Sequence, residues 1–258
     1  MLGYVCKYTP MELFEAMDTE ITRLEPSVTD FNHADTLMHA NICSYTKAVL
    51  EDVMEHDYEG VILTTCCDSI RRLYDTLKSQ FPDKFFFLLD IPRKFNDFAV
   101  ALYERQLKQM LTEYEAFSGK TLDLKRFVSM MQNKAALKKQ ENTRMSASAA
   151  SEKGNGQKLN IGIMGARCNN EIRQLLVDRG ANLLFDLTCT GLARDFSITE
   201  DHVLHSYAAA LLNQIPCMRM LKAANREHFL DGFTDRLDGI IYHLSLIHIS
   251  EPTRRSYI

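Results

Sequence analysis

A short apolar run that ends in two cysteines places the strongest constraint on how this chain can fold. Residues 60–65 read Gly-Val-Ile-Leu-Thr-Thr, a β-branched segment that is too short for a helix and predicts a buried strand. Cys66 and Cys67 follow it, and Asp68 and Ser69 then open an amphipathic stretch as N-cap residues. Because open α/β sheets bind ligands at the carboxyl ends of their strands, both thiols are predicted to lie in such a crevice. Amide groups at a helix start also favour thiolate over thiol.

The same alternation of apolar strands and amphipathic helices extends along the whole chain. Other strands are predicted at residues 4–8, 21–24, 84–91, 159–164, 181–188 and 237–243. Helices are predicted at residues 11–17, 41–55, 68–80, 96–116, 122–139, 171–178 and 199–212, and residues 217–224 are a further candidate. Strands that alternate with helices predict an α/β fold in which a parallel sheet is wound on both faces.

A change of composition at residues 146–158 predicts a domain boundary. This segment is rich in Ser, Ala, Gly and Lys, which is typical of a flexible linker. We therefore assign residues 1–145 to an N-terminal α/β domain with a helical extension, and residues 159–243 to the start of a second α/β domain. Residues 244–258 resemble translated sequencing-adapter text, so we interpret them as a non-native tail and expect the natural protein to continue past His243.

Composition argues against a nucleic-acid-binding, membrane-spanning or disulfide-stabilised protein. The 258-residue chain is 25% charged with a formal net charge of -4, which gives no case for a nucleic-acid partner. No apolar run approaches the length that spans a bilayer and the N-terminus lacks the features of a signal peptide, so we expect a cytoplasmic protein without a membrane partner. The seven cysteines are an odd number spread over a long chain, which predicts metal ligands and buried thiols rather than a disulfide framework.

The spacing of the cysteines alone does not decide between a metal site and packed thiols. No Cys-x-x-Cys motif is present, and Cys43 lies far in sequence from Cys66 and Cys67, so only the fold can bring them together. Thiolates are the ligands of iron–sulfur clusters and also bind zinc. Because Cys43 and Cys67 are both predicted near a helix start in one doubly wound sheet, we expect them on the same rim. Spacing on its own still favours a buried cysteine pair.

Six segments, taken together and in this order, resemble the 2-hydroxyacyl-CoA dehydratase family. They are residues 3–13, 41–51, 63–72, 89–94, 186–191 and 237–243. The second begins Asn-Ile-Cys-Ser-Tyr-Thr-Lys, and the third reads Leu-Thr-Thr-Cys-Cys-Asp-Ser-Ile-Arg-Arg. The family also holds benzoyl-CoA reductase subunits and double-cubane-cluster proteins. The ordered set is specific, whereas any single segment would be weak evidence.

The resemblance implies two Rossmann-like, doubly wound parallel-sheet domains, the second incomplete, with a 4Fe–4S cluster between them. Three family cysteines bind that cluster. The first corresponds to Cys43 and the second to Cys67, with Cys66 as the neighbour to test beside it. The third follows the strand that begins at Asp238, where the adapter-like tail replaces it. The resemblance therefore implies that this polypeptide lacks one ligand, a loss that would leave it inactive.

The resemblance also implies a reaction and its partners. An ATP-dependent activator with its own cluster supplies one electron to the thioester of a 2-hydroxyacyl-CoA, and the resulting ketyl radical eliminates water. A second dehydratase subunit completes a heterodimer. Two alternatives stay open at this point: a double-cubane or benzoyl-CoA-reductase-type iron–sulfur reductase, and a non-catalytic accessory subunit without a cluster.

Overall fold

The computed structural model divides the chain into two compact units. It describes residues 1–28, 30–149, 159–165, 167–168, 170–189, 191, 198–217, 219–221 and 223–243. The first unit comprises Met1–Ser151 and Asp195–Gln214, and the second comprises Glu152–Arg194 and Ile215–Ile258. Each unit is built on its own parallel sheet. Across the described ranges, no helix is both long enough and apolar enough to cross a membrane.

The first unit contains a four-stranded sheet whose strands are all parallel. Its strands, in the spatial order β2-β1-β3-β4, are β1 (Leu2–Tyr4), β2 (Ile21–Arg23), β3 (Gly60–Thr64) and β4 (Phe85–Leu89). Its helices are α1 (Met11–Ala16), α2 (Asn32–Leu37), α3 (Ser44–Glu55), α4 (Asp68–Gln80), α5 (Asp97–Ser118), α6 (Leu124–Ala149) and α8 (Val203–Asn213). Strand β1 lies at Leu2–Tyr4, so the strand predicted at residues 4–8 is wrong except at Tyr4, whereas β2, β3 and β4 lie within their predicted runs.

Strand β3 is buried at every position, as its unbroken apolar sequence predicts. It pairs with β4 in register from Gly60 opposite Phe85 to Thr64 opposite Leu89. Gly60 makes this close pairing possible, because a Cβ atom there would lie 1.9 Å from the carbonyl oxygen of Phe85. Any side chain at residue 60 would therefore push the start of β3 away from β4.

Helices cover both faces of this sheet. On one face, Val61 of β3 belongs to a buried apolar cluster that includes Val49 of α3 and further residues of α4. On the other face, the ring of Tyr114 in α5 lies 5.0 Å from Phe85 of β4 and 5.0 Å from Phe14 of α1, both in edge-to-face contact. The structure therefore confirms the predicted α/β class, with a parallel sheet between two layers of helices.

The second unit contains a three-stranded parallel sheet. Its strands, in the order β6-β5-β7, are β5 (Asn160–Gly165), β6 (Asn182–Asp186) and β7 (Gly239–His243), and its helices are α7 (Asn170–Asp178) and α9 (Ala223–Asp231). The ring of Phe185 in β6 lies 5.6 Å from Phe229 of α9 and 5.1 Å from Phe233. This aromatic group holds α9 in the unit. Residues 217 and 219–221 are not helical, so the helix predicted at residues 217–224 is wrong except at its last two residues, where α9 begins.

Helix α8 belongs to the first unit, although it follows β6 in sequence and the linear order of elements predicts it in the second domain. Tyr207 of α8 is fully buried, its ring lies 5.1 Å from Phe127 of α6, and its hydroxyl donates to Glu12 of α1 over 2.5 Å. His205 adds a contact of 2.8 Å with Glu104 of α5. The two polar contacts join residues 195 and 101 positions apart, so no local pattern predicts them.

Helix α6 extends into the predicted linker. It continues to Ala149, so residues 146–149 are helical rather than part of a flexible segment. The physical reason is that Ala has the highest helix propensity, and Ala147 and Ala149 extend the helical sequence that precedes them. Residues 150–158 and 244–258 lie outside the described ranges, so the rest of the linker and the non-native tail stay predictions.

Replacing Tyr207 by Phe is expected to weaken the attachment of α8 to the first unit. The change removes one hydrogen bond from the buried Glu12 carboxylate and keeps the ring in place. We expect the free energy of unfolding, measured by urea denaturation, to fall by about 1–3 kcal/mol. Tyr74→Phe is the matched control, because the Tyr74 hydroxyl accepts from the exposed Lys78 ammonium and its loss should cost little. Equal losses in the two variants would contradict this account.

Candidate functional site

The candidate site lies where the strand order of the first sheet reverses. From β1 the chain crosses to β2 on one side, and it later returns to β3 on the other side of β1. The carboxyl ends of β1 and β3 therefore flank a topological switch point, which is where open α/β sheets bind ligands. Cys6 follows β1 and Cys66 follows β3, so the segments that carry these thiols border the switch point.

Cys67 is the N-cap residue of α4. Its backbone is extended, with φ -156° and ψ 167°, and Asp68 is the first helical residue rather than the predicted cap. Just before it, the amide of Cys66 donates to the carbonyl of Thr64 over 2.7 Å, which turns the chain sharply at the end of β3. Both cysteines are half-buried and pack against the apolar cluster that α3 and α4 share with β3.

Cys43 is the N-cap residue of α3, which begins at Ser44. The predicted helix begins at residue 41 and would have placed Cys43 in its first turn. Its backbone is also extended, with φ -63° and ψ 146°. The sulfur of Cys43 lies 3.0 Å from the hydroxyl oxygen of Thr46, a residue that is fully buried. This contact holds the thiol close to the first turn of α3.

Cys43 and Cys67 both lie at the carboxyl edge of the first sheet. Helices α3 and α4 pack against each other and against the same face, and α4 starts directly after β3. Helix α3 ends near the opposite edge, where the amide of Glu59 donates to the carbonyl of Met1. The 12 residues of α3 span about 18 Å and β3 spans about 16 Å, so α3 also starts at the carboxyl edge. The structure thus brings both helix starts to one rim, and the role of either thiol as a metal ligand stays a prediction.

The Cys67 thiol holds its proton more tightly than its position at a helix start predicts. A hydrogen bond with Cys66 raises the pKa of Cys67, and burial together with charge on the Cys66 sulfur raises it further. The amides of Ser69 and Ile70 act in the opposite direction, but the thiol forms no full capping hydrogen bond and they do not reverse the rise. The neighbouring sulfur therefore outweighs the helix start in setting this pKa.

The donor atoms at this sheet edge are of the type that an iron–sulfur cluster requires. Thiol sulfur is the ligand that such clusters require, and Cys43, Cys66 and Cys67 supply it at one sheet edge. Within the part of the chain that the structure describes, no three His, Cys, Asp or Glu side chains are grouped so that they could hold a metal ion. The third cysteine that the resemblance implies would follow β7, and residues 244–258 lie outside the described ranges.

A buried carboxylate holds α2 against α3, a contact that was not predicted from the sequence. Glu51 of α3 accepts a hydrogen bond from the amide of Ala34 over 2.8 Å and contacts Nδ1 of His33 at 2.7 Å. Burial raises the pKa of Glu51, but the Ala34 amide and His33 outweigh burial, so this pKa lies below its ordinary value. One sequence feature could have identified this contact: Glu51 lies three residues after Ala48, on the apolar side of α3.

Comparison with known proteins finds one matching family model. The model of the family described as 2-hydroxyglutaryl-CoA dehydratase, D-component, matches residues 6–151, which is more than half of the chain. This range contains both helix starts of the candidate site, with Cys43, Cys66 and Cys67. Among the curated proteins, none matches the chain.

The stability that Glu51 contributes is expected to depend on pH. Its pKa in the folded protein lies below the ordinary value of 4.5, so the contribution is complete above that value and is lost as the pH falls through the folded-state pKa. Glu51→Gln should lower the free energy of unfolding near neutral pH by about 1–3 kcal/mol, with a smaller effect in acid. Glu55→Gln, at the exposed end of the same helix, is the control. Urea denaturation of both variants across this pH range should separate them, and identical pH profiles would refute the assignment.

Removing the Cys66 sulfur is expected to make Cys67 more reactive at neutral pH. Cys66→Ala abolishes the hydrogen bond and the neighbouring charge that raise the pKa of Cys67, so the thiolate fraction of Cys67 grows. The rate of Cys67 alkylation by iodoacetamide should rise by about tenfold or more, since each pKa unit changes the thiolate fraction tenfold. Mass spectrometry of the tryptic peptide 48–71 measures this rate. Cys217→Ala, in the second unit, is the control, and an unchanged rate in Cys66→Ala would exclude the proposed cause.

Proposed function

Because the chain belongs to the family of the 2-hydroxyglutaryl-CoA dehydratase D-component, we propose that it is the iron–sulfur subunit of a 2-hydroxyacyl-CoA dehydratase-like enzyme. The proposed reaction eliminates water from a 2-hydroxyacyl-CoA thioester after one-electron activation and a ketyl-radical step. The family match includes both helix starts that carry Cys43 and Cys67, which supports a common role for these residues.

The observation that carries the proposal is the placement of two cysteine thiols at one sheet edge. Cys43 and Cys67 come from different helices, yet each is an N-cap residue and both helices cover the same face. Metal binding requires the thiolate, so iron must displace the proton that Cys66 helps to hold on Cys67. Once that proton has left, the amides at both helix starts face negative sulfur, which is the favourable arrangement.

The residues around the two thiols have separate tasks in this proposal. A bound 4Fe–4S cluster would supply the one-electron chemistry that the elimination needs. Cys43 and Cys67 would attach it, and the hydroxyl of Thr46 would donate to the Cys43 sulfur from 3.0 Å. Hydrogen bonds to ligating sulfur tune the reduction potential of such clusters. The apolar cluster beneath α3 and α4 keeps water from the inner side of the Cys67 thiol.

The proposal includes three partners. A 2-hydroxyacyl-CoA is the substrate, and a second dehydratase subunit completes a heterodimer. An ATP-dependent activator that carries its own iron–sulfur cluster supplies the electron. The description of the matching family names one component of a dehydratase, which supports the need for a further subunit.

Two alternatives differ from this proposal in what the protein would bind and produce. As a double-cubane or benzoyl-CoA-reductase-type protein, the chain would bind iron but would form no enoyl-CoA from a 2-hydroxyacyl-CoA. As a non-catalytic accessory subunit, it would bind no cluster. Iron content and product formation therefore separate the three functions.

Anaerobic reconstitution of the full-length parent protein with iron and sulfide tests the cofactor. We expect the wild-type chain to bind both and to develop iron–sulfur charge-transfer absorption. Cys43→Ala and Cys67→Ala should each lose most of the bound iron, since even changes outside the ligand set weaken metal binding by about 10- to 100-fold. Cys217→Ala is the matched control, because Cys217 is buried in the second unit.

The outcomes of this experiment distinguish the proposed function from its two alternatives. Full iron content in Cys67→Ala would exclude Cys67 as a ligand, and a colourless wild-type chain would select the accessory function. Where iron is bound, incubation with the activator, the second subunit, ATP and a 2-hydroxyacyl-CoA should yield an enoyl-CoA. Bound iron without that product would favour the reductase alternative.

A further inference from the structure

Two side chains continue the connection between β3 and β4 beyond the point where strand pairing ends. The last residues in register are Thr64 and Leu89, and the amide of Thr65 still donates to the carbonyl of Leu89 over 3.0 Å. The hydroxyl of Thr65 then donates to Oδ1 of Asp90 over 2.6 Å and accepts from the amide of Ile91 over 3.3 Å. Thr65 therefore joins the ends of both strands through three hydrogen bonds.

The hydrogen bond between Thr65 and Asp90 is the strongest of the three. Its length of 2.6 Å is typical of a hydroxyl that donates to a carboxylate, and such charge-assisted bonds are about twice as strong as neutral ones. Thr65 is only 6% exposed, so little water competes for its hydroxyl. Asp90 is also attached to α5, because its amide donates to Oε1 of Gln106 over 3.4 Å.

The residue that Asp90 holds comes directly before the two thiols of the candidate site. Residues 65–66 form a turn and Cys67 is a bend, so this segment belongs to neither β3 nor α4. The amide of Cys66 donates back to the carbonyl of Thr64 over 2.7 Å, which turns the chain at once. The start of this turn is fixed at Thr65, and the carboxylate of Asp90 fixes the side chain of Thr65.

We propose that Asp90 is a positioning residue for the candidate metal site and acts through Thr65 on the turn that carries Cys66 and Cys67. This inference rests on the proposed function, in which Cys67 is a cluster ligand. Ligands bind a metal tightly when neighbouring groups already hold them in the bound geometry, and residues outside the ligand set supply that order. In this account the Asp90 carboxylate binds Thr65 and is not itself a ligand.

Two adjacent threonines provide a matched pair of variants. Thr65→Val removes the hydroxyl that binds Asp90. Thr64→Val makes the same change at a fully buried hydroxyl for which the described part of the chain supplies no hydrogen-bond partner. Valine has nearly the shape of threonine, so both variants should fold. Thr65→Ser keeps the hydroxyl and should restore most of what Thr65→Val loses, and Asp90→Ala removes the acceptor from the other side.

Amide hydrogen exchange of the metal-free chain, resolved at single residues, tests the effect on the turn. We expect the amides of Cys66 and Ile91 to exchange about tenfold faster in Thr65→Val and Asp90→Ala, because each variant loses a charge-assisted hydrogen bond. Thr64→Val should exchange at the wild-type rate. Urea denaturation of the same variants separates local opening of the turn from global unfolding. Wild-type exchange of both amides in Asp90→Ala would overturn the proposal.

Iron retention by the reconstituted full-length parent protein tests the effect on the metal site. In competition with a ferrous-iron chelator, Thr65→Val and Asp90→Ala should hold iron about 10- to 100-fold less tightly than the wild type, and Thr64→Val should equal it. Wild-type retention in the first two variants would overturn the proposal, as would a failure of Thr65→Ser to restore retention. A wild-type protein that binds no iron would instead refute the proposed function, and the exchange rates would still decide whether Asp90 fixes the turn.

Discussion

The parallel pairing of β3 with both β1 and β4 is the constraint on which the rest of the first unit depends. Gly60 allows the backbones of β3 and β4 to approach, and the buried apolar residues of β3 then hold helices on both faces. Because β2 lies on the far side of β1, the order of strands reverses between β1 and β3. That reversal opens the sheet edge at which Cys66 and Cys67 follow the strand, so the chemistry of the site follows from the topology.

Two electrostatic effects compete at this edge. The amides that begin α4 stabilise a negative sulfur at Cys67, and the neighbouring sulfur of Cys66 together with burial opposes ionisation. The second effect is larger, so the pKa of Cys67 lies above its ordinary value. A metal bound to this thiol would reverse the balance, because its positive charge favours thiolate and would leave the helix amides facing an anion.

Contacts between residues distant in sequence hold the helices around this edge. Glu51 joins α2 to α3, the helix that starts at Cys43, and its carboxylate is stabilised by an amide and a histidine rather than by solvent. Tyr207 brings α8 onto the first unit through a buried hydrogen bond to Glu12. Both contacts place a polar group in an apolar setting, where leaving it without a partner would cost about 1–3 kcal/mol. Such groups specify one arrangement of the helices more strictly than apolar packing alone.

The sequence by itself determined the α/β class, the positions of most strands and helices, and the family. Buried parallel strands read as continuous apolar runs, and residues such as Gly60 and Cys67 stand at positions where local patterns are informative. Only the tertiary structure decided that α8 packs on the first unit, that Glu51 is buried with partners, and that Cys66 raises the pKa of Cys67. Those outcomes depend on contacts between groups far apart in sequence or on solvent exclusion, and neither is encoded in local periodicity or residue spacing.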